Sequence, residues 1–179
     1  TMPRVVINWM EFEAPVADVW PPEYHTRIVF DSPLREENPE AYVRTVIRRF
    51  ASRAFRRPAS KTEVDRFFQI YKLVEPDLKT MEAAMRETLS MVLISPQFLY
   101  HTVADGEVTT RPYELASRLS YFLWGSMPDA ELVKLAAEGS MENPEVLEQQ
   151  TRRLLADPRA NDFVRNFTMQ WLSLAKMKT

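Results

Sequence analysis

The densest cluster of side chains able to do chemistry is cationic: Arg44, Arg48, Arg49, Arg53, Arg56, Arg57 and Lys61, with Glu40 beside them. Guanidinium groups grip phosphate because each offers a bidentate fork. The same residues also read as the polar face of one helix, ending in cations that suit the negative end of its dipole. That face has no interleaved aromatics, and the chain has no nucleic-acid motif. The formal charge is −2, so no overall field draws in nucleic acid, and the solvated-face reading is preferred.

The other candidates are sparser. The two histidines, His25 and His101, have no second histidine nearby, and Asp105 four residues after His101 is too common a pairing to define a metal site. Both read as surface or supporting groups. Met81, Met85 and Met91 fall on one predicted core stripe, where methionine fills gaps, and are not taken as axial haem ligands. Ser126, in Trp124-Gly125-Ser126-Met127-Pro128, does not match the G-x-S-x-G nucleophile elbow and is expected to cap the next helix. Carboxylates are abundant, but a glycosidase pair is defined by separation in space, which sequence spacing does not give. Tyr121, Phe122, Leu123 and Trp124 could line a ligand groove, although their helical spacing favours core packing. The sequence therefore assigns no catalytic residue and no metal ligand, and leaves cofactor-binding residues unassigned.

Composition narrows the scaffold that must position these groups. The 179 residues include 3 Gly, 13 Pro and no Cys. So few glycines argue against hairpin-rich barrels, Gly-rich dinucleotide loops and P-loops. The lack of cysteine rules out disulfides, thiolate zinc sites, cysteine nucleophiles and covalent haem attachment within this sequence. At 45% apolar residues the chain can bury a core, and no apolar run reaches the roughly 18 residues of a membrane span.

The expected fold is mainly α: a bundle of about seven helices, preceded by one β-strand and an extended, Pro-rich connector. Alternation over Val5–Phe12 reads as the strand. It would belong to an upstream β-sandwich or, less favoured, pair with Arg27–Phe30. Prolines at 15, 21, 22 and 33 suggest an irregular connector over 14–37. From Asn38-Pro39 the apolar period becomes 3.6, with Val43, Val46, Ile47, Phe50 and Ala54 on one stripe, stopped by Pro58. Ser60-Lys61-Thr62-Glu63 is a capping box opening a second helix through Val64, Phe67, Phe68 and Tyr71. A third uses Leu78, Met81, Met85, Leu89 and Val92 and is ended by Pro96. A fourth, opened by Thr110 to Pro112, is expected to bury Tyr113, Leu115, Ala116, Leu119, Phe122 and Leu123. A short helix to Gly139 follows, then helices started by Asn143-Pro144 and Asp157-Pro158. The last carries Phe163, Phe167, Trp171 and Leu172. Gly106, Gly125 and Gly139 all fall between helices, where left-handed backbone is expected.

Several strings occur in a fixed order: Phe50-Ala51-Ser52-Arg53-Ala54-Phe55-Arg56-Arg57-Pro58, then Leu93-Ile94-Ser95-Pro96-Gln97-Phe98-Leu99-Tyr100, then Glu114 to Trp124. Met127-Pro128-Asp129, Arg153-Leu154-Leu155-Ala156-Asp157-Pro158-Arg159-Ala160 and Phe167 to Leu172 follow. Over residues 39–179 this series resembles the large planctomycete-type proteins built from consecutive domains of unknown function, often with an N-terminal cytochrome-c-like domain. The strand Val5–Phe12 resembles the last strand of the carbohydrate-binding-like sandwich that precedes the helical part of such proteins.

The resemblance implies an extracytoplasmic, multi-domain parent and supplies no catalytic residues. The expected division is 1–37, terminal strand plus connector; 38–104, a three-helix subdomain; and 105–179, a four-helix subdomain that stops short of its full extent. The leading functional expectation is a structural and interaction module whose partners are other domains or subunits of a larger assembly. A role in a periplasmic redox enzyme with haem c bound elsewhere, and a glycan-binding or glycan-processing role, are the alternatives.

Overall fold

The computed structural model of the chain describes residue 19 and residues 21–100 and 110–172. Ten α-helices account for most of them: α1 (Glu23–Thr26), α2 (Leu34–Glu37), α3 (Pro39–Ala54), α4 (Lys61–Val74), α5 (Met81–Leu93), α6 (Pro96–Leu99), α7 (Arg111–Trp124), α8 (Ala130–Ala137), α9 (Pro144–Ala156) and α10 (Asn161–Trp171). Seven are longer than one turn, and no strand occurs among the described residues, so the mainly helical expectation holds. The Val5–Phe12 strand, with Trp20, His101, Asp105 and Gly106, lies outside the described residues.

Capping chemistry sets most boundaries. Asn38 accepts from the Ala41 amide at 3.0 Å with Pro39 at the first helical position, which starts α3. Ser60 and Glu63 form a reciprocal capping box on α4. Thr80, Asp129 and Asn143 cap α5, α8 and α9 through their side-chain oxygens. Gly125 (φ 62°) closes α7 in the left-handed conformation that glycine adopts without a Cβ penalty.

Five details differ from the sequence reading. The connector is not extended throughout: Pro22 and Pro33 precede the single helical turns α1 and α2, since proline's fixed φ suits a helix start. Residues 27–28 form a turn, and there is no strand over 27–30. Pro96 begins α6 rather than merely ending α5. The first long helix ends at Ala54, four residues before Pro58, because Arg56 turns left-handed. Asp129, not Ser126, caps α8, while the Ser126 carbonyl accepts from the Ser120 hydroxyl at 2.7 Å.

Two hydrophobic cores result. The first joins Tyr42, Val43, Val46, Ile47, Val64, Phe67, Phe68, Tyr71, Met85 and Val92 from α3, α4 and α5, with Val29, Phe30 and Leu34 packed against it. The Tyr42 hydroxyl donates to the Phe30 carbonyl at 2.8 Å, tying the segment before α3 to that core. The second joins Ala116, Leu123, Trp124, Leu132, Ala136, Met141, Leu154 and Ala160 from α7 to the turn before α10. Ile47 is fully buried and Leu73 is 75% exposed. Ile47→Ala is therefore expected to cost about 2–5 kcal/mol in urea unfolding, and Leu73→Ala to stay within about 0.5 kcal/mol.

Candidate functional site

The cationic cluster of α3 does not converge on one ligand. Arg44 pairs with Asp65 of α4, and its guanidinium stands 3.8 Å from the Phe68 ring centroid. Arg49 covers the Phe30 ring at 4.2 Å. Arg48, Arg53 and Lys61 are exposed and have no ion-pair partner among the described residues. The solvated-face reading fails at two positions, because Arg56 and Arg57 are buried. The helix ends before them, so they no longer follow its polar face.

Arg57 meets Glu63 through two bonds, Nη1 to Oε2 at 2.9 Å and Nη2 to Oε1 at 2.7 Å, and also donates to the Pro58 carbonyl. Glu63 accepts at the same time from the Ser60 amide at 2.8 Å. Burial raises the Glu63 pKa, but the bonds from Arg57 and Ser60 outweigh it and hold the carboxyl below its ordinary 4.5. Arg56 has no carboxylate partner among the described residues. Its guanidinium donates to the carbonyls of Gln97, Phe98 and Tyr100 at 3.2–3.3 Å. Those carbonyls lie at the end of α6, where helical acceptors otherwise lack partners. Arg56 holds φ 60°, a conformation costing a non-glycine residue about 1–2 kcal/mol.

A second polar network closes the other core. Asp129 caps α8 by accepting from the Leu132 amide at 3.0 Å, and it also takes two bonds from Arg153, at 2.7 and 3.2 Å. Arg153 donates through Nε to Gln150, whose amide donates to Glu131. Trp124 donates to the Leu154 carbonyl at 3.0 Å, and the Arg159 guanidinium lies 3.4 Å from its ring centroid. Arg159 is fixed in turn by Asp157, whose pKa its bonds depress to about 2. Burial raises the Asp129 pKa, and the Arg153 and Leu132 bonds reverse the shift to a net lowering.

α7 presents two faces. Ala116, Ser117, Ser120, Leu123 and Trp124 point into the second core, whereas Phe122, expected to be buried, is 63% exposed. Leu115, Leu119, Tyr121 and Phe122 join Arg118 and Leu147 of α9 around an open apolar groove of about 500 Å³. Phe122 also starts a row of rings along α10, with centroid spacings of 4.7 Å to Phe163, 5.6 Å to Phe167 and 6.0 Å to Trp171. Phe167 is 50% and Trp171 73% exposed. Of the methionines, Met85 is buried and Met81 packs on the first core, but Met91 is exposed because it falls off the stripe. His25 sits half-buried in α1, and no group of three or more metal-ligating residues occurs among the described residues.

Residues 42–102 match the family described as PSD5, a protein of unknown function (DUF1595), and residues 110–179 match PSD4, a protein of unknown function (DUF1592). Two consecutive domains of unknown function are present, as in planctomycete-type proteins. No curated protein and no solved structure matches the chain. The first core, the Arg57 contacts and the bonds from Arg56 to the α6 carbonyls fall within the DUF1595 region. The Trp124 network, the groove and the aromatic row fall within the DUF1592 region. No helix among the described residues is long and apolar enough to cross a membrane.

The geometry explains why the ordered strings go together. Phe50–Pro58 meets Leu93–Tyr100 through Arg56. Met127–Asp129 meets Arg153–Ala160 through the Asp129–Arg153 pair. These contacts hold backbone in place, and the sequence reading missed the Asp129–Arg153 pair although both strings containing it were in view. Glu63→Gln removes the charge opposite buried Arg57 and should cost about 3 kcal/mol at neutral pH. Because the folded Glu63 pKa is lowered, its stabilisation is present above the unfolded value of 4.5 and lost as pH falls through the folded value. Thermal melts between pH 7 and pH 3 should show a shallower acid loss in Glu63→Gln than in the wild type; equal slopes would contradict the assignment.

Proposed function

We propose that this chain is a structural and interaction module of a larger, extracytoplasmic multi-domain protein, in which the exposed face of α7 and α10 receives a helix of an adjoining domain or subunit. The observation that carries the reading is the aromatic row Phe122, Phe163, Phe167 and Trp171 standing next to the groove between α7 and α9. Apolar surface of this continuity is a usual mark of an interaction site.

A helix is the occupant that fits the shape. The groove residues of α7 fall at Leu115, Leu119 and Phe122, spacings of four and three that run along about two turns of one helix. A partner helix with apolar residues at the same spacing would lie along that ridge at the 8–10 Å interaxial distance of packed helices. At the rim Arg118 is ion-paired with Glu114 one turn earlier on α7, so charge there selects no particular sign in the partner. The extracytoplasmic setting rests on the resemblance to planctomycete-type proteins alone. The subdomain boundary near residue 104 is supported by the two separate cores and by the two adjacent matches.

Without a partner on this face, the 179-residue chain should bind a hydrophobic dye such as ANS and self-associate with rising concentration. Phe167→Glu combined with Trp171→Glu should abolish both behaviours while leaving the helical circular dichroism unchanged. Light scattering with dye fluorescence on the two proteins checks this. A wild type that stays monodisperse and dye-free at every concentration would overturn the reading.

A further inference from the structure

Arg56 is the one non-glycine residue with positive φ among the described residues. It stands just past the end of α3, where glycine is the usual occupant of a left-handed turn. An arginine held there, and buried, has a side chain whose contacts must outweigh the backbone strain.

Those contacts reach three places. Through Nη1 and Nη2 the guanidinium donates to the carbonyls of Gln97, Phe98 and Tyr100, in α6 and at its C-terminal cap. Its guanidinium carbon also lies 5.8 Å from the centroid of the Tyr121 ring on α7. The acceptors are neutral carbonyls, so the cation keeps its full charge toward the ring, and a guanidinium at this distance is attracted to the aromatic face. A single side chain therefore touches the end of α3, the end of α6 and a helix that packs on the second core.

We infer that Arg56 is a positioning residue that couples the two helical units. It fixes the end of α6, up to the Tyr100 carbonyl, and holds Tyr121 of the second unit against that point. Opening either core dissolves a contact that the other uses, so the two cores melt together. The inference is independent of what docks on α7 and α10.

Differential scanning calorimetry of the 179-residue chain tests it. The wild type should give one transition with equal calorimetric and van't Hoff enthalpies. Arg56→Gln and Tyr121→Leu should each split the transition in two, and the double variant should split it no further than either single change. Tyr121→Leu leaves the three carbonyl bonds in place, so it decides the question if Arg56→Gln fails to fold. A merely structural Arg56 would lower the melting temperature and leave one transition. One transition in Tyr121→Leu, or two already in the wild type, would overturn the coupling.

Discussion

A guanidinium removed from water must have its N–H groups met, and much of this architecture is arranged around that demand. Arg57 satisfies it with a carboxylate that is itself half of a helix cap, so one glutamate neutralises a buried cation and starts α4. Arg56 satisfies it with the spare carbonyls of a one-turn helix. Beside the second core, half-buried Arg153 pairs in a similar way with the cap of α8. Arg56 and Arg153 thereby hold chain segments far apart in sequence, whereas Arg57 locks a local turn. Removing one partner leaves a buried charge unmet, which costs more than the pair gains over an apolar substitute.

These arrangements bear on function by fixing the orientation of α7. Its inner face is committed to Trp124, Leu123 and Ser120, with the Trp124 indole bonded to the Leu154 carbonyl and covered by Arg159. With that face held, Phe122 is left outward, in line with Phe163, Phe167 and Trp171, and half-buried Leu119 lines the groove beside it. The inward face is pinned by polar contacts at the C-terminal end of α9, which leaves the apolar outward face open. This division of labour suits a module whose interior serves stability and whose surface serves association.

The sequence made the helices legible where local chemistry decides them. Asn38-Pro39, the Ser60–Glu63 box and Asn143-Pro144 each satisfy helix-end groups within a few residues, and all three appear where the spacing placed them. Periodicity also found the stripe from Val43 to Ala54. It misjudged Phe122 and Met91, because a window of mixed apolar residues leaves the phase of the buried face open until the neighbouring helix is known. The buried arginines were not legible at all: in Phe55-Arg56-Arg57-Pro58 the run of cations continues a polar face, and only the left-handed turn at Arg56 shows that it ends. The Asp129–Arg153 pair spans 24 residues, beyond any local pattern.

Contacts within the ordered strings should make them the most firmly held parts of the molecule, even at Arg57, Gly125 and Asp157, at or just past helix ends, where fraying is usual. Native-state hydrogen exchange of the 179-residue chain should show the amides of Arg57, Gly125 and Asp157 exchanging as slowly as that of Ile47 in the middle of α3. Exchange at those three positions as fast as at Leu172, just past the end of α10, would contradict it.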